Sequence, residues 1–172
     1  LGASSLFDGG ATAAYANTDG ALPGDQPHRF FAELALRGRW HGVALDGGLR
    51  ATATSGRPRS ALIGREQVFV LPRGSLGRLP MVTQANVHLG ARLGAAHVTL
   101  DVWNLFDRRG ALAVDESFAR DTTPIVGGDA TDLLWLKDDV VPGAPALRID
   151  SYGAVTRRQA PISAMLGVAV EL

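Results

Sequence analysis

The chain has 172 residues, the length of one ordinary domain, and 46% of them are hydrophobic, which excludes a largely disordered protein. Its 17 lysine and arginine residues balance its 17 aspartate and glutamate residues. This balance argues against nucleic acid as the main partner, because phosphate binding requires a basic surface. The chain has no cysteine, which excludes disulfides, zinc–thiolate sites and thiol catalysis.

Alternation of apolar and polar residues predicts five β-strands, whereas helical periodicity is nearly absent. The predicted strands are residues 28–38, 43–54, 83–93, 96–105 and 161–172. In the last of them, every second residue from Ile162 to Leu172 is apolar. A sixth strand is a weaker prediction within Gly2–Tyr15.

A two-residue turn at 94–95 predicts a hairpin between the third and fourth strands. It pairs apolar Leu89 with Leu100 and polar His88 with Asp101, so both faces agree with one register.

A turn at 39–40 would likewise join the first two strands and would pair Leu34 with Leu45. It would also set Glu33 opposite Asp46, a repulsive pairing of like charges. The register of this hairpin therefore remains open.

Strand and loop lengths favour a membrane barrel. The predicted strands have 10 to 12 residues, close to the roughly 9–11 that cross a bilayer at a tilt. Short connections (39–42 and 94–95) alternate with long ones (55–82 and 106–160), which is typical of outer-membrane β-barrels. The predicted fold class is all-β, an antiparallel transmembrane β-barrel segment with long extracellular loops.

No membrane-spanning helix or signal peptide is predicted. All uncharged stretches are far shorter than the roughly 20 residues of a spanning helix, and no basic segment followed by an apolar core opens the chain at Leu1. We therefore expect a processed product or a piece of a longer protein.

Four segments in this order resemble the C-terminal part of the barrel of TonB-dependent outer-membrane receptors, and the similarity covers about residues 22–172. The segments are Leu22–Phe30, Val68–Pro80, Val98–Arg109 and Ala160–Leu172. The third contains the sequence Asn104-Leu-Phe-Asp107, which in this family ends a late barrel strand.

The resemblance implies energised uptake of a siderophore, vitamin or glycan across the outer membrane of a Gram-negative bacterium. The implied partners are outer-membrane lipid, the rest of the barrel with its plug domain, the TonB energy-coupling complex and the barrel-assembly machinery. Barrels of this family have about 22 strands, so five or six strands would be the last part of one. The resemblance implies a plug and an energy-coupling box in the N-terminal part, which this chain would lack.

The last eight residues, 165–172, resemble the C-terminal signal that the barrel-assembly machinery reads. Gly167 occupies the glycine position, and Val170 and Leu172 stand where aromatic residues are usual. Leucine instead of the usual terminal phenylalanine and Met165 instead of a polar residue are departures from the family pattern.

Other polar residues are predicted to have structural roles. His28, His41, His88 and His97 lack metal-ligand spacing and are interpreted as hydrogen-bonded side chains of the lumen or rim. Residues 73–78 are glycine-rich and basic but lack the pattern of a phosphate-binding loop. The acidic residues of 106–160 lack a calcium-loop pattern and are expected to be solvated. Trp135 is expected in a short strand, with a ligand contact as the alternative. No catalytic constellation is present, so we expect neither an enzyme nor a cofactor or metal site.

A second interpretation is a small soluble β-sandwich or β-barrel that acts as a binding module. The same alternation is compatible with it, because the apolar face would then turn inward. Aromatic residues at only 6% favour it slightly, since membrane barrels usually carry aromatic girdles.

Overall fold

The computed structural model describes residues 15–64 and 68–171. Within this part the chain forms ten β-strands and one short 3-10 helix, Asp132–Leu134, and no α-helix. The strands are β1 (Arg29–Trp40), β2 (Val43–Thr54), β3 (Leu62–Ile63), β4 (Val68–Phe69), β5 (Val82–Leu93), β6 (Ala96–Trp103), β7 (Ala111–Val114), β8 (Ser117–Ala119), β9 (Val155–Arg158) and β10 (Ser163–Val170). The all-β prediction is therefore confirmed.

The five longest strands form one antiparallel sheet in the order β1-β2-β5-β6-β10. They correspond to the five strands that alternation predicts, and no strand end differs from its predicted position by more than two residues. β1 and β10 are the two edges, so the described sheet is open and is not itself a closed barrel. The predicted sixth strand within residues 2–15 falls outside the described residues except for Tyr15, which lies in a turn.

The β5–β6 hairpin has the predicted register. Leu89 pairs with Leu100 and His88 with Asp101. Gly94 takes a left-handed conformation with φ of 57° in the tight turn.

The β1–β2 hairpin turns two residues later than the sequence indicates. The turn is at His41–Gly42, with φ of 47° and 85°, and Leu34 pairs with Leu49 rather than with Leu45. This register sets Glu33 opposite Arg50, and their side chains form an ion pair at 3.1 Å. Two successive positive φ angles suit the twist of a two-residue hairpin turn, and the later turn also replaces repulsion by attraction.

The chain divides into two compact units. The sheet unit consists of residues 27–55, 80–111 and 158–171, and the connection unit consists of the described residues of 1–26, 56–79 and 112–157.

The connection unit has a small hydrophobic core of its own, although the sequence predicts its segments to be loops. Six buried residues form this core: Ala61, Val70, Leu71, Phe118, Ala119 and Leu136. β3 and β4 pair antiparallel, and β8 adds to β3 in parallel. Trp135 directly follows the 3-10 helix and is exposed, so the short strand expected there is wrong.

Asn17 holds three parts of the connection unit together. Its side-chain amide donates hydrogen bonds to the carbonyl oxygens of Phe69, Val70 and Ile125 at 3.0–3.2 Å. Asn17 is buried and has a φ of 59°, a conformation that asparagine tolerates better than most residues. Hydrogen bonds between distant parts of the chain thus stabilise these connecting segments, which have no long run of alternating apolar and polar residues.

Candidate functional site

The five-stranded sheet has one continuous apolar face. Residues that pair directly in an antiparallel sheet point to the same side, so the registers define this face. Its apolar side chains include Phe30, Ala32, Leu34, Leu36, Leu45, Leu49, Ala51, Ala53, Ala85, Val87, Leu89, Ala91, Leu93, Ala96, Val98, Leu100, Val102, Ala164, Leu166, Val168 and Val170.

Most of the apolar face is uncovered. Leu34, Leu89 and Leu166 are 54%, 51% and 70% exposed, and of the described members of the face only Ala85 is buried. Burial of such side chains ordinarily contributes about 1.5–3 kcal/mol each. A face of this size is therefore expected to contact lipid or another apolar surface.

The opposite face carries a polar cluster of two histidines and two aspartates. His88 Nδ1 lies 2.7 Å from Asp101 Oδ1, and His88 Nε2 lies 3.1 Å from Asp46 Oδ2. His97 Nε2 lies 3.9 Å from the other oxygen of Asp46. An ionised carboxylate only accepts hydrogen bonds, so both contacts of His88 are hydrogen bonds when the imidazole carries two protons.

Gly90 makes this cluster possible. It pairs directly with Asp46 across β2 and β5. A Cβ atom at position 90 would lie 2.5 Å from Asp46 Oδ1 and 2.6 Å from Oδ2, so the carboxylate occupies the space that a side chain would fill. The lack of a side chain at Gly90 allows Asp46 to lie across the strand and reach His88.

Two of the four histidines, His88 and His97, lie in the polar cluster. His28 directly precedes β1, and His41 directly follows it in the turn to β2. Among residues 15–64 and 68–171, no group of three or more histidine, aspartate or glutamate side chains is arranged to hold a metal ion. The sequence predicts the contact of His88 with Asp101. It misses Asp46, whose strand is separated from β5 by the long connection 55–82.

The sequence Asn104-Leu-Phe-Asp107 forms a turn directly after β6. Its side chains are hydrogen-bonded to the backbone just before β10. Asn104 is 2% exposed, and its side-chain amide donates to the carbonyl oxygens of Arg108 at 2.8 Å and Ala160 at 2.7 Å. Asp107 Oδ1 accepts from the backbone N–H of Ile162 at 3.0 Å, which, together with the Arg109 guanidinium, holds the pKa of Asp107 below its usual value. Both side chains thus hold the backbone that leads into the final strand.

The proposed C-terminal signal falls on β10 and just beyond it. Gly167 pairs with Thr99, and a Cβ atom there would lie 2.6 Å from Thr99 Oγ1. Val170 pairs with Ala96 and is exposed on the apolar face. Leu172 lies outside the described residues, and the assembly role of all three stays a prediction.

The basic segment 73–78 makes structural contacts. Arg73 donates to the carbonyl oxygen of Gly20 at 3.1 Å, and Arg78 forms an ion pair with Asp25. This segment therefore packs residues 20–25 against the rest of the connection unit.

Several acidic residues of the connection unit are local hydrogen-bond acceptors. Asp129 Oδ1 accepts from the N–H and the hydroxyl of Thr131 at 2.7 and 2.6 Å. Asp138 Oδ1 accepts from the N–H groups of Val140 and Val141, each at 2.8 Å. These contacts stabilise turns, a role that the interpretation as a merely solvated loop does not include.

No helix in the described part of the chain is sufficiently long and apolar to cross a membrane.

Comparison with known proteins gives a partial relationship. The chain is 35% identical over 97 residues to the TonB-dependent transporter Oar of Myxococcus xanthus, a match that covers 53% of this chain and 9% of that transporter. No protein-family profile matches the chain, and no solved structure does. The match spans about half of the chain and less than a tenth of the transporter, and it points to the TonB-dependent transporters.

Proposed function

We propose that this chain is the C-terminal part of the β-barrel of a TonB-dependent receptor in a bacterial outer membrane. The last strands of that barrel would include β1, β2, β5, β6 and β10. The observation that carries the proposal is the uncovered apolar face of these strands. In a bilayer this face meets hydrocarbon, and the face with His88 and Asp46 turns to the barrel interior.

The length of three of the five strands supports this placement, whereas β6 and β10 have 8 residues each. β1, β2 and β5 have 12 residues each, which is enough to cross a bilayer at the usual tilt of about 45°. Strands of soluble proteins are most often about 5–6 residues long. The long connections 55–82 and 106–160 then face the outside, and the turns at 41–42 and 94–95 face the periplasm.

The open edges of the sheet support a larger barrel. The outer edges of β1 and β10 carry backbone groups that no described strand pairs. Unpaired backbone groups cost several kcal/mol each in hydrocarbon, so spanning sheets close into barrels. Further strands of a longer protein would pair with these edges, in agreement with a match that covers only 9% of its relative.

The activity that we propose is energised uptake of a scarce ligand of the siderophore, vitamin or glycan class. The polar face would line a lumen that holds a plug domain, and the plug would couple to the TonB complex. The barrel-assembly machinery would read the end of β10, with Gly167, Val170 and Leu172 as the signal. The match to a transporter supports this activity.

Accessibility of spin labels tests the placement directly. Labels that replace Leu34, Leu89 and Leu100 in the full-length protein in lipid should be quenched by oxygen more than by an aqueous nickel reagent. A label that replaces Arg50, on the opposite face of β2, is the matched control and should show weaker oxygen quenching. Preferential quenching of the Leu89 label by the aqueous reagent would contradict the proposal and favour a soluble binding module.

A further inference from the structure

A groove lies on the apolar face at the end of the sheet that is remote from the hairpin turns. Ala32, Ala51 and Ala85 line it side by side in the paired registers of β1, β2 and β5. Phe30 and Phe106 also line it, and they are 62% and 69% exposed. Its volume is about 410 Å³, within the range of roughly 300–1,000 Å³ that is usual for small-molecule sites.

The groove results from a step in side-chain size. The next row of paired residues toward the hairpin turns is Leu34, Leu49 and Val87, which are larger than the alanines of the groove. The hydrophobic surface therefore has a depression here, which the rings of Phe30 and Phe106 also line. A hydrocarbon chain that fills such a depression gains dispersion contacts that a flat surface does not offer.

The charged side chain of Arg108 lies at this groove. Arg108 is one of its lining residues, and its guanidinium forms no hydrogen bond or ion pair with any described residue. Arg109, the next residue, is paired with Asp107 at 3.1 Å. An apolar groove with an arginine that no described side chain pairs is complementary to a molecule with a hydrocarbon tail and an anionic head.

We propose that the groove binds one anionic membrane lipid. Its acyl chain lies over Ala51 between Phe30 and Phe106, and its headgroup is paired with Arg108. This inference rests on the proposed function, because it requires the apolar face to be in a membrane. The ends of spanning strands lie at the membrane interface, where an arginine can reach a lipid headgroup.

Native mass spectrometry of the full-length protein, released from detergent after titration with lipid, tests the inference. The probes are phosphatidylglycerol, which is anionic, and phosphatidylcholine, which has no net charge. One molecule of phosphatidylglycerol should be retained in preference to phosphatidylcholine, and Arg108→Gln should reduce that preference about fivefold, the effect of one basic residue near the surface. Arg39→Gln, at the other end of β1 on the opposite face, should leave it unchanged.

A second pair of variants tests the groove itself. Ala51→Leu fills the depression and should abolish retention of the lipid. Ala91→Leu, on the same face but outside the groove, should not. If Ala51→Leu lowers the yield of folded protein, Ala32→Leu on the exposed strand β1 fills the same groove.

The outcomes separate this inference from the proposed function. The anionic-lipid site would be overturned if Arg108→Gln left the preference for phosphatidylglycerol unchanged, or if Arg39→Gln reduced that preference equally. Either result would count even if the Leu89 label lies in lipid. Retention unchanged in both groove-filling variants would overturn it as well. A Leu89 label in water would overturn the proposed function and, with it, this site.

Discussion

At the level of single residues, the lack of a side chain at Gly90 decides where the Asp46 carboxylate lies. The carboxylate occupies the position of the absent Cβ and from there contacts His88 at 3.1 Å. Both partners are partly exposed, so water weakens their interaction, and it should contribute only in the range of exposed ion pairs. The prediction that follows concerns coupling between residues 90 and 46.

Gly90→Ala should lower the free energy of unfolding by about 0.5–1 kcal/mol, because the new methyl group displaces Asp46 from His88. In an Asp46→Ala background, Gly90→Ala should lower the free energy of unfolding much less. A double-mutant cycle by denaturant unfolding of the folded protein in lipid measures this coupling. Gly38→Ala is the control, since a Cβ atom there meets nothing within 4 Å. Additive losses for Gly90→Ala and Asp46→Ala would show that the two residues do not interact.

Asp115 is a second residue whose behaviour follows from its contacts. The Ser151 hydroxyl donates to Asp115 Oδ2 at 2.6 Å and the Ser117 N–H donates to Oδ1 at 2.9 Å, and they hold the pKa of this carboxyl below its usual value. A lowered pKa in the folded state means that the ionised carboxylate stabilises the fold above the unfolded pKa of about 3.9. That stabilisation is lost as the pH falls through the folded pKa.

Ser151→Ala should raise the pKa of Asp115 toward its ordinary value, and it should therefore reduce the stability that this carboxylate contributes at neutral pH and loses in acid. Titration of the carboxyl carbon by NMR measures the pKa directly. Ser75→Ala, at an exposed serine elsewhere in the connection unit, should leave the Asp115 pKa unchanged. An equal pKa in Ser151→Ala and the unchanged protein would contradict the assigned cause.

At the level of elements, the β1–β2 register shows what alternation does and does not determine. Alternation assigns Leu34 to the apolar face under either register, because a shift of four residues leaves every side chain on its own side. The turn at His41–Gly42 selects the register, through two positive φ angles that residue patterns on the strands do not reveal. Leu34 therefore pairs with Leu49 and not with Leu45.

Paired cysteines distinguish these two registers, and the chain has no cysteine that would interfere. Leu34→Cys combined with Leu49→Cys should form a disulfide on mild oxidation, because directly paired residues bring their Cβ atoms within bonding reach. Leu34→Cys combined with Leu45→Cys should stay reduced. Electrophoretic mobility after proteolysis in the β1–β2 turn reads out the bond. Preferential disulfide formation between positions 34 and 45 would instead support the register with the turn at 39–40.

The limits of prediction differ between elements. The five long strands and the β5–β6 register are predictable because the alternation is long and the connection is two residues. The partnership of Asp46 with His88 is not, since it depends on β2 pairing with β5 across a long connection. The core of the connection unit is missed as well, because β3, β4 and β8 have two or three residues each and show no period.

At the scale of the whole molecule, the apolar face and the open edges both require more than the described sheet contains. Such a sheet is stable in a membrane only when further strands pair with β1 and β10. In the proposed barrel, β10 would be the last strand, and its pairing with the first strand would close the sheet. The assembly machinery would have to recognise the end of this strand before closure.

Within the full-length protein, Leu172→Asp or deletion of Leu172 should therefore sharply reduce assembly into the outer membrane. A charge at this apolar position would disrupt the signal that ends with Gly167, Val170 and Leu172. Leu172→Phe should assemble at least as well, because phenylalanine is the residue usual in the family. The amount of heat-modifiable, folded protein in outer-membrane fractions measures assembly. Val141→Asp, at an exposed valine of the connection unit, is the matched control and should have no effect. Equal amounts of Leu172→Asp and Val141→Asp in the outer membrane would show that Leu172 has no assembly role. The machinery would then have tolerated a charge where it is proposed to require an apolar side chain.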